Sequence, residues 1–312
     1  MKRVTKPIRL DFCDFHPGYL KTNNFFYNLL KEHFSLEICD QPDFLIYSFF
    51  GHQHRLHSGT KIFFTGESAA PNWKECDYAL TSRYLDDPRH LRLPFYVLYG
   101  DARAIVKGQE DPAKILARKT KFCSFVVGNQ HPRKNKNRAD FFQRLSRYKR
   151  VDSGGRFLNN IGGPVPGGTA GKVQFLRDYK FNIAFENAAI PGYTTEKLFE
   201  ALQARTLGIY WGNPLVNREF NPRSFLNYPD FPNEEALVEK IIELDRDDAK
   251  YLEYLRQPYF HEDRPNEFFD REWLLSFFEK VFTQPIQPVS QRRKWFSPGR
   301  WTLVKRNRPT YS

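Results

Sequence analysis

Short apolar runs, most of them closed by a glycine, an asparagine or a polar turn, alternate with amphipathic stretches along nearly the whole chain. "PIRLDFCDF" and "DFLIYSFFG" predict strands, and "NNFFYNLLKEHF" between them has helical apolar spacing. "TKIFFTGES" predicts a strand ending in a glycine turn, and "LRLPFYVLYG" another after a polar loop. "KFCSFVVGN" closes at Gly128 and Asn129 and leads into the amphipathic "RADFFQRLSRY". Further on, "KFNIAFEN" (strand), "TTEKLFEALQA" (helix) and "TLGIYWGNP" (strand, then turn) precede helices in "NEEALVEKIIELD", "DDAKYLEYLRQP" and "EFFDREWLLSFFEKVF". Strands alternating with helices imply parallel sheets, so the chain is α/β.

At 312 residues the chain is long enough for two such domains. Glycine and proline cluster from Ser153 to Gly171, which reads as a flexible connection at the start of the second unit. The expected division is 1–150, 151–285 and a tail over 286–312. No internal repeat or heptad pattern appears.

The net charge of +12 is uneven: seven basic and no acidic residues lie between Gln291 and Ser312, which leaves about +5 for the rest. A second basic run spans His131 to Arg150. Such charge suits a phosphate-bearing ligand, an anionic membrane surface or nucleic acid. The cysteines, Cys13, Cys39, Cys76 and Cys123, form no CxxC pair, which argues against zinc. The N-terminus lacks the apolar run of a signal peptide, so reduced thiols and a cytoplasmic chain are expected. No apolar stretch approaches the ~20 residues of a membrane span.

Glu196 and Lys197 pose a local problem. With Thr194 as N-cap, Lys197 falls where a capping box wants Glu or Gln, and a lysine there opposes the helix dipole by ~0.3–1 kcal/mol. An anion held by the free amides, with Lys197 as counter-charge, would offset that, while Glu196 accepts from ribose hydroxyls. The bland alternative is a solvated pair at a frayed helix start. GxGxxG and GxxxxGK[ST] are both absent, so neither a dinucleotide fingerprint nor an ordinary P-loop is present.

The wider string favours the sugar-nucleotide reading. Tyr179 to Phe231, with its FEN element, "GYTTEK" helix start, "IYWG" turn and "FNPRSF" segment, resembles the signature of the α1,3/4-fucosyltransferases, glycosyltransferase family 10. "IFFTGESAAPNWKECDYAL" resembles the family's second motif, with Ser68 where GEN is usual, and "LRLPFY" also fits. The resemblance implies a GT-B fold of two Rossmann-like domains facing a cleft, the acceptor on the N-terminal side and GDP-fucose on the C-terminal side, with the last helix packing back on the N-terminal domain.

It implies Glu67 as catalytic base, Lys197 and Arg138 as diphosphate contacts, Glu196 as ribose contact, and Asn187 and Tyr193 in the donor pocket. Glu186 is a second carboxylate that orients donor or backbone groups. Arg133 competes with Arg138, and His131 is a further phosphate candidate. No metal is obligatory, "LDD" at Leu85–Asp87 reads as a loop or cap, and Mn or Mg is at most stimulatory. The expected acceptor is an N-acetyllactosamine-type glycan, as in a lipopolysaccharide O-chain or Lewis structure.

The tail, with Trp295, Phe296 and Trp301 among its basic residues, suits peripheral contact with the inner face of the cytoplasmic membrane. A disordered, soluble charged tail is the alternative. Two other functions stay open: a GT-B transferase for another nucleotide sugar, and a basic nucleic-acid-binding protein. No RRM or KH motif supports the second.

Overall fold

A computed structural model describes residues 6–108, 110–130, 135–284 and 286–292. The chain divides into two compact units, one of residues 1–63, 72–78 and 281–312, the other of residues 64–71 and 79–280. The expected tail lies outside the described residues beyond residue 292, as do His131 and Arg133.

In the first unit, β1 (Ile8–Cys13), β2 (Leu36–Ile38), β3 (Phe44–Tyr47) and β4 (Thr60–Phe64) run in the order β2-β1-β3-β4, all parallel. Helix α1 (Phe25–Leu30) is capped by Asn24, whose side chain accepts from the Tyr27 amide. From Val281 the chain belongs to this unit again: Phe282 packs edge-on against Phe34 and Phe44, and the Val289 amide donates to Asp77.

In the second unit, β5 (Tyr78–Thr81) and β6 (His90–Arg92) pair in parallel. The expected long strand "LRLPFYVLYG" stops at Arg92. Pro94 follows, and Tyr96–Tyr99 forms the short helix α2 instead. Helix α3 (Pro112–Ala117) leads to β7 (Lys121–Phe125), α4 (Lys136–Ser146) and β8 (Val151–Ser153). Then come α5 (Gly168–Leu176), β9 (Tyr179–Phe185), α6 (Glu196–Gln203), β10 (Leu207–Trp211) and β11 (Leu226–Asn227). Helices α7 (Glu234–Arg246) and α8 (Asp248–Arg256) follow, then α9 (Arg271–Thr283), and α10 (Val289–Arg292) lies in the first unit.

The second sheet has the order β11-β10-β9-β7-β8, and every recorded pairing is parallel. Because β7 and α4 belong with it, the expected boundary at residue 150 falls between α4 and β8, inside this unit. The Ser153–Gly171 cluster is not wholly irregular, since α5 starts within it at Gly168. Helices cover both faces of a parallel sheet, which is why β9 reads as a nearly continuous apolar run and is buried almost throughout. Its core joins Phe125, Phe141, Phe181, Ile209, Ile241 and Tyr251. The polar Asn182 is buried there with its amide oxygen accepting from the Ser124 hydroxyl at 3.1 Å.

None of the four cysteines is in a disulfide. Among the described residues no helix is long and apolar enough to cross a membrane.

Candidate active site

The second sheet reverses its winding between β7 and β9, the crevice where open α/β sheets hold ligands. The carbonyl of Phe185, at the end of β9, accepts from Arg138 Nε at 3.1 Å and Nη2 at 2.8 Å. Arg138 is buried and also donates to Asn135 Oδ1 at 2.8 Å and to Asn187 Oδ1 at 2.6 Å. Its guanidinium is thus held rigidly, with its charge directed at the residue that follows Glu186.

Glu186 has a fully buried side chain. It accepts from the Thr195 amide and hydroxyl, each at 2.7 Å, and from Lys197 Nζ at 3.1 Å. Gly212 makes room for it: a Cβ there would lie 2.4 Å from Glu186 Cγ and 2.8 Å from the Tyr210 hydroxyl.

This arrangement corrects the expected helix cap. The N-cap of α6 is Thr195, so Glu196 and Lys197 are its first two residues. Thr195 makes no side-chain cap bond, because its hydroxyl goes to Glu186, while Thr194 turns its hydroxyl to Glu219 at 3.1 Å. Glu186, arriving from the end of β9, takes the amide of the N-cap Thr195 itself, the donor that the N3 carboxylate of a capping box would take.

The two carboxylates also resolve the misplaced lysine. Lys197 Nζ lies 3.4 Å from Glu196 Oε1 besides its contact with Glu186. Burial would lower the ammonium's pKa, but the charges of Glu186 and Glu196 outweigh it and raise it. Burial pushes the Glu196 carboxyl up, yet the positive charges of Lys197 and Lys172 prevail and hold it at about 2.

Glu67 stands on the turn after β4, where its amide donates to Thr65 Oγ1 at 3.0 Å. Gly66 is required there, since a Cβ would lie 2.2 Å from the Phe95 ring. The exposed Glu67 carboxylate accepts at Oε2 from the Tyr193 hydroxyl and from Asn187 Nδ2, both at 3.2 Å. Tyr193 is itself buried. Its phenol pKa is raised by burial first and by the charges of Glu186, Glu67 and Glu196 next, so it stays a donor.

The seven expected side chains therefore gather into two hydrogen-bonded groups of one unit. Arg138, Asn187, Tyr193 and Glu67 form one; Glu186, Glu196 and Lys197 form the other. Asp87 of "LDD" accepts from the backbone and side chain of Arg89, as a local turn does. Two participants went unread in the sequence. Asn135 fixes Arg138, and Lys172 of α5 pairs with Glu200 at 2.5 Å beside Glu196. Both lie in or next to the basic and glycine-rich loops, where side-chain direction depends on tertiary context. Among the described residues no three His, Cys, Asp or Glu side chains converge as a metal site.

Residues 10–99 match the family model "Alpha-(1,3)-fucosyltransferase FucT N-terminal domain", and residues 116–271 match "Glycosyltransferase family 10 (fucosyltransferase) C-term". The chain is 30% identical to the alpha-(1,3)-fucosyltransferase FucT of Helicobacter pylori, over 75% of this chain and 55% of that protein. It is 32% identical to the human 4-galactosyl-N-acetylglucosaminide 3-alpha-L-fucosyltransferase FUT6, over 76% of this chain and 64% of that protein. The chain thus spans between about half and two thirds of the length of these relatives. Among solved structures, that of an alpha1,3-fucosyltransferase with GDP-fucose aligns at a TM-score of 0.74 and 26% identity, over 92% of this chain and 95% of the other.

Proposed function

This chain belongs to glycosyltransferase family 10, the fucosyltransferases, and from that premise we propose that it moves L-fucose from GDP-β-L-fucose to a hydroxyl of GlcNAc, or of Glc, in a β-galactosyl-containing glycan. The reaction inverts the anomeric centre. The acceptor oxygen attacks C1 of the fucosyl group on the face opposite GDP. As that bond forms, the bond from C1 to the phosphate oxygen breaks, GDP leaves with the bonding pair, and Glu67 takes the acceptor's proton, giving the α-fucoside.

The observation that carries this reading is the Glu67 carboxylate held by Tyr193 and Asn187, with Asn187 tied to the guanidinium of Arg138. It puts a proton acceptor within one side chain of a cation suited to a leaving diphosphate. Lys197 supplies the second cation and Glu196 the ribose acceptor, while Glu186 holds the first turn of α6 in place. The charge on the departing diphosphate is met by protein groups, with Mn or Mg at most stimulatory. The tail over 286–312, rich in Arg, Lys and Trp, serves as a peripheral contact with the anionic inner face of the cytoplasmic membrane.

The test is a panel of nucleotide sugars offered with N-acetyllactosamine, the product linkage read by NMR. Transfer confined to GDP-fucose, giving an α-linked product, supports the proposal. Equal transfer from another nucleotide sugar replaces the donor, and tight, salt-sensitive RNA binding without GDP affinity removes the enzyme reading altogether.

A further inference from the structure

Behind the Glu67–Tyr193 contact lies a buried charge network that the mechanism above does not use. Arg92, the last residue of β6, has a side chain only 6% exposed, and Glu219 facing it is fully buried. Arg92 Nη2 donates to Glu219 Oε1 at 2.6 Å and to the carbonyl of Gly192 at 2.9 Å, and its Nε donates to the carbonyl of Ser82 at 2.9 Å. The guanidinium is sandwiched between the rings of Tyr84 and Phe268, 4.2 and 4.3 Å from their centroids.

Its partners converge on one turn. Glu219 Oε1 also accepts from the Thr194 hydroxyl at 3.1 Å and from Asn213 Nδ2 at 2.8 Å. Asn213 Oδ1 accepts from the Gly192 amide at 2.7 Å, so Gly192 is held at both its N–H and its C=O. The turn needs that grip. Gly192 sits at φ +88, in the left-handed region, and a Cβ on it would lie 2.2 Å from the Ser82 carbonyl that Arg92 also binds. Tyr193 is the residue between the two clamped neighbours.

We infer that Arg92 is a positioning residue: through Gly192 and Glu219 it sets the Gly192–Thr194 turn, and through that turn it holds the Tyr193 hydroxyl on Glu67. This rests on the fucosyl-transfer reading of the site. A buried ion pair adds little stability over an apolar pair of the same volume, so its use here is geometric. A lysine cannot replace the planar fork that spans Ser82, Gly192 and Glu219 at once. The Lys197–Glu186 group hangs on Thr195 and the end of β9 rather than on Gly192, so the donor contacts of Lys197 are expected to hold when Arg92 is changed.

The experiment is a double-mutant cycle with Arg92→Lys and Tyr193→Phe, supported by a crystal structure of Arg92→Lys. Arg92→Lys should lower kcat by up to about tenfold, no more than loss of the Tyr193 hydroxyl itself, with KM for GDP-fucose within about twofold. In the Tyr193→Phe background the same change should lower kcat less than twofold, because the hydroxyl it positions is gone. An equal loss in both backgrounds, or no loss in either, overturns the inference. Glu219→Gln, which keeps the shape, serves as the second variant should Arg92→Lys fail to fold, with the same expectations. In the crystal structure Tyr193 should leave hydrogen-bond distance of Glu67, and an unmoved hydroxyl overturns the inference whether or not fucose is transferred. A wild-type enzyme inactive with GDP-fucose sinks the functional reading alone.

Discussion

The hydroxyl of Tyr193 donates to Oε2 of Glu67 at 3.2 Å, and the same oxygen accepts from Asn187 at 3.2 Å. Two fixed donors meet one carboxylate oxygen, and the other, which accepts from no donor among the described residues, can meet an incoming hydroxyl. A hydrogen bond to a charged group is worth about 1.5 kcal/mol, roughly tenfold in rate. Tyr193→Phe should therefore lower kcat about tenfold with the fold intact, as steady-state kinetics will show. A rise in KM for GDP-fucose at constant kcat would instead make Tyr193 a donor contact only.

Lys197→Ala removes the partner of a fully buried carboxylate, Glu186. Leaving such a charge unpaired destabilises by about 3–5 kcal/mol. Two effects should appear together, a lower unfolding midpoint and weaker GDP binding by calorimetry. Lys197→Met with Glu186→Gln restores much of the stability but not the affinity. GDP binding at the native level in that pair contradicts the phosphate role of Lys197.

Gly212→Ala places a Cβ 2.4 Å from Glu186 Cγ and 2.7 Å from its Cβ. Overpacking of this kind disfavours the native arrangement by about 1–3 kcal/mol. Because Glu186 holds both the Thr195 amide and Lys197, GDP affinity should fall along with stability. Loss of stability at native GDP affinity would detach Glu186 from the donor site.

The acid side of the stability profile carries the mark of Glu196. Its carboxyl, pushed up by burial but held down more strongly by Lys197 and Lys172, sits at about 2 against an ordinary 4.5. A depressed carboxyl stabilises the fold fully above its unfolded value and less as pH falls through about 2. The full difference corresponds to about 3 kcal/mol. Denaturant titrations should show Glu196→Gln flattening the loss of stability between pH 4.5 and 2. An unchanged slope contradicts the pairing of Glu196 with the two lysines.

The parallel architecture was legible because strands buried on both faces read as apolar runs, as β7, β9 and β10 do. The meeting of Glu67 with Tyr193 was legible through motif resemblance alone, since spacing cannot bring residue 67 to residue 193. Three features were not legible. The amide and hydroxyl of the α6 N-cap, Thr195, are taken by Glu186, a residue on another element. Pro94 turns an apolar run into the helical turn at Tyr96–Tyr99. Arg92 reads as one charge in "LRLPFY", and nothing local reveals that its partners are Gly192 and Glu219.

The most direct measurement is the rate of fucose transfer by Glu67→Gln, taken with its affinity for GDP-fucose. The amide keeps the shape of the carboxylate and cannot take the acceptor's proton. Native donor affinity is expected, with transfer reduced by at least about a hundredfold, the scale of general-base catalysis at about 10²–10⁴. Transfer near the wild-type rate in that variant would show that another group receives the proton, and the role given to Glu67 would be lost.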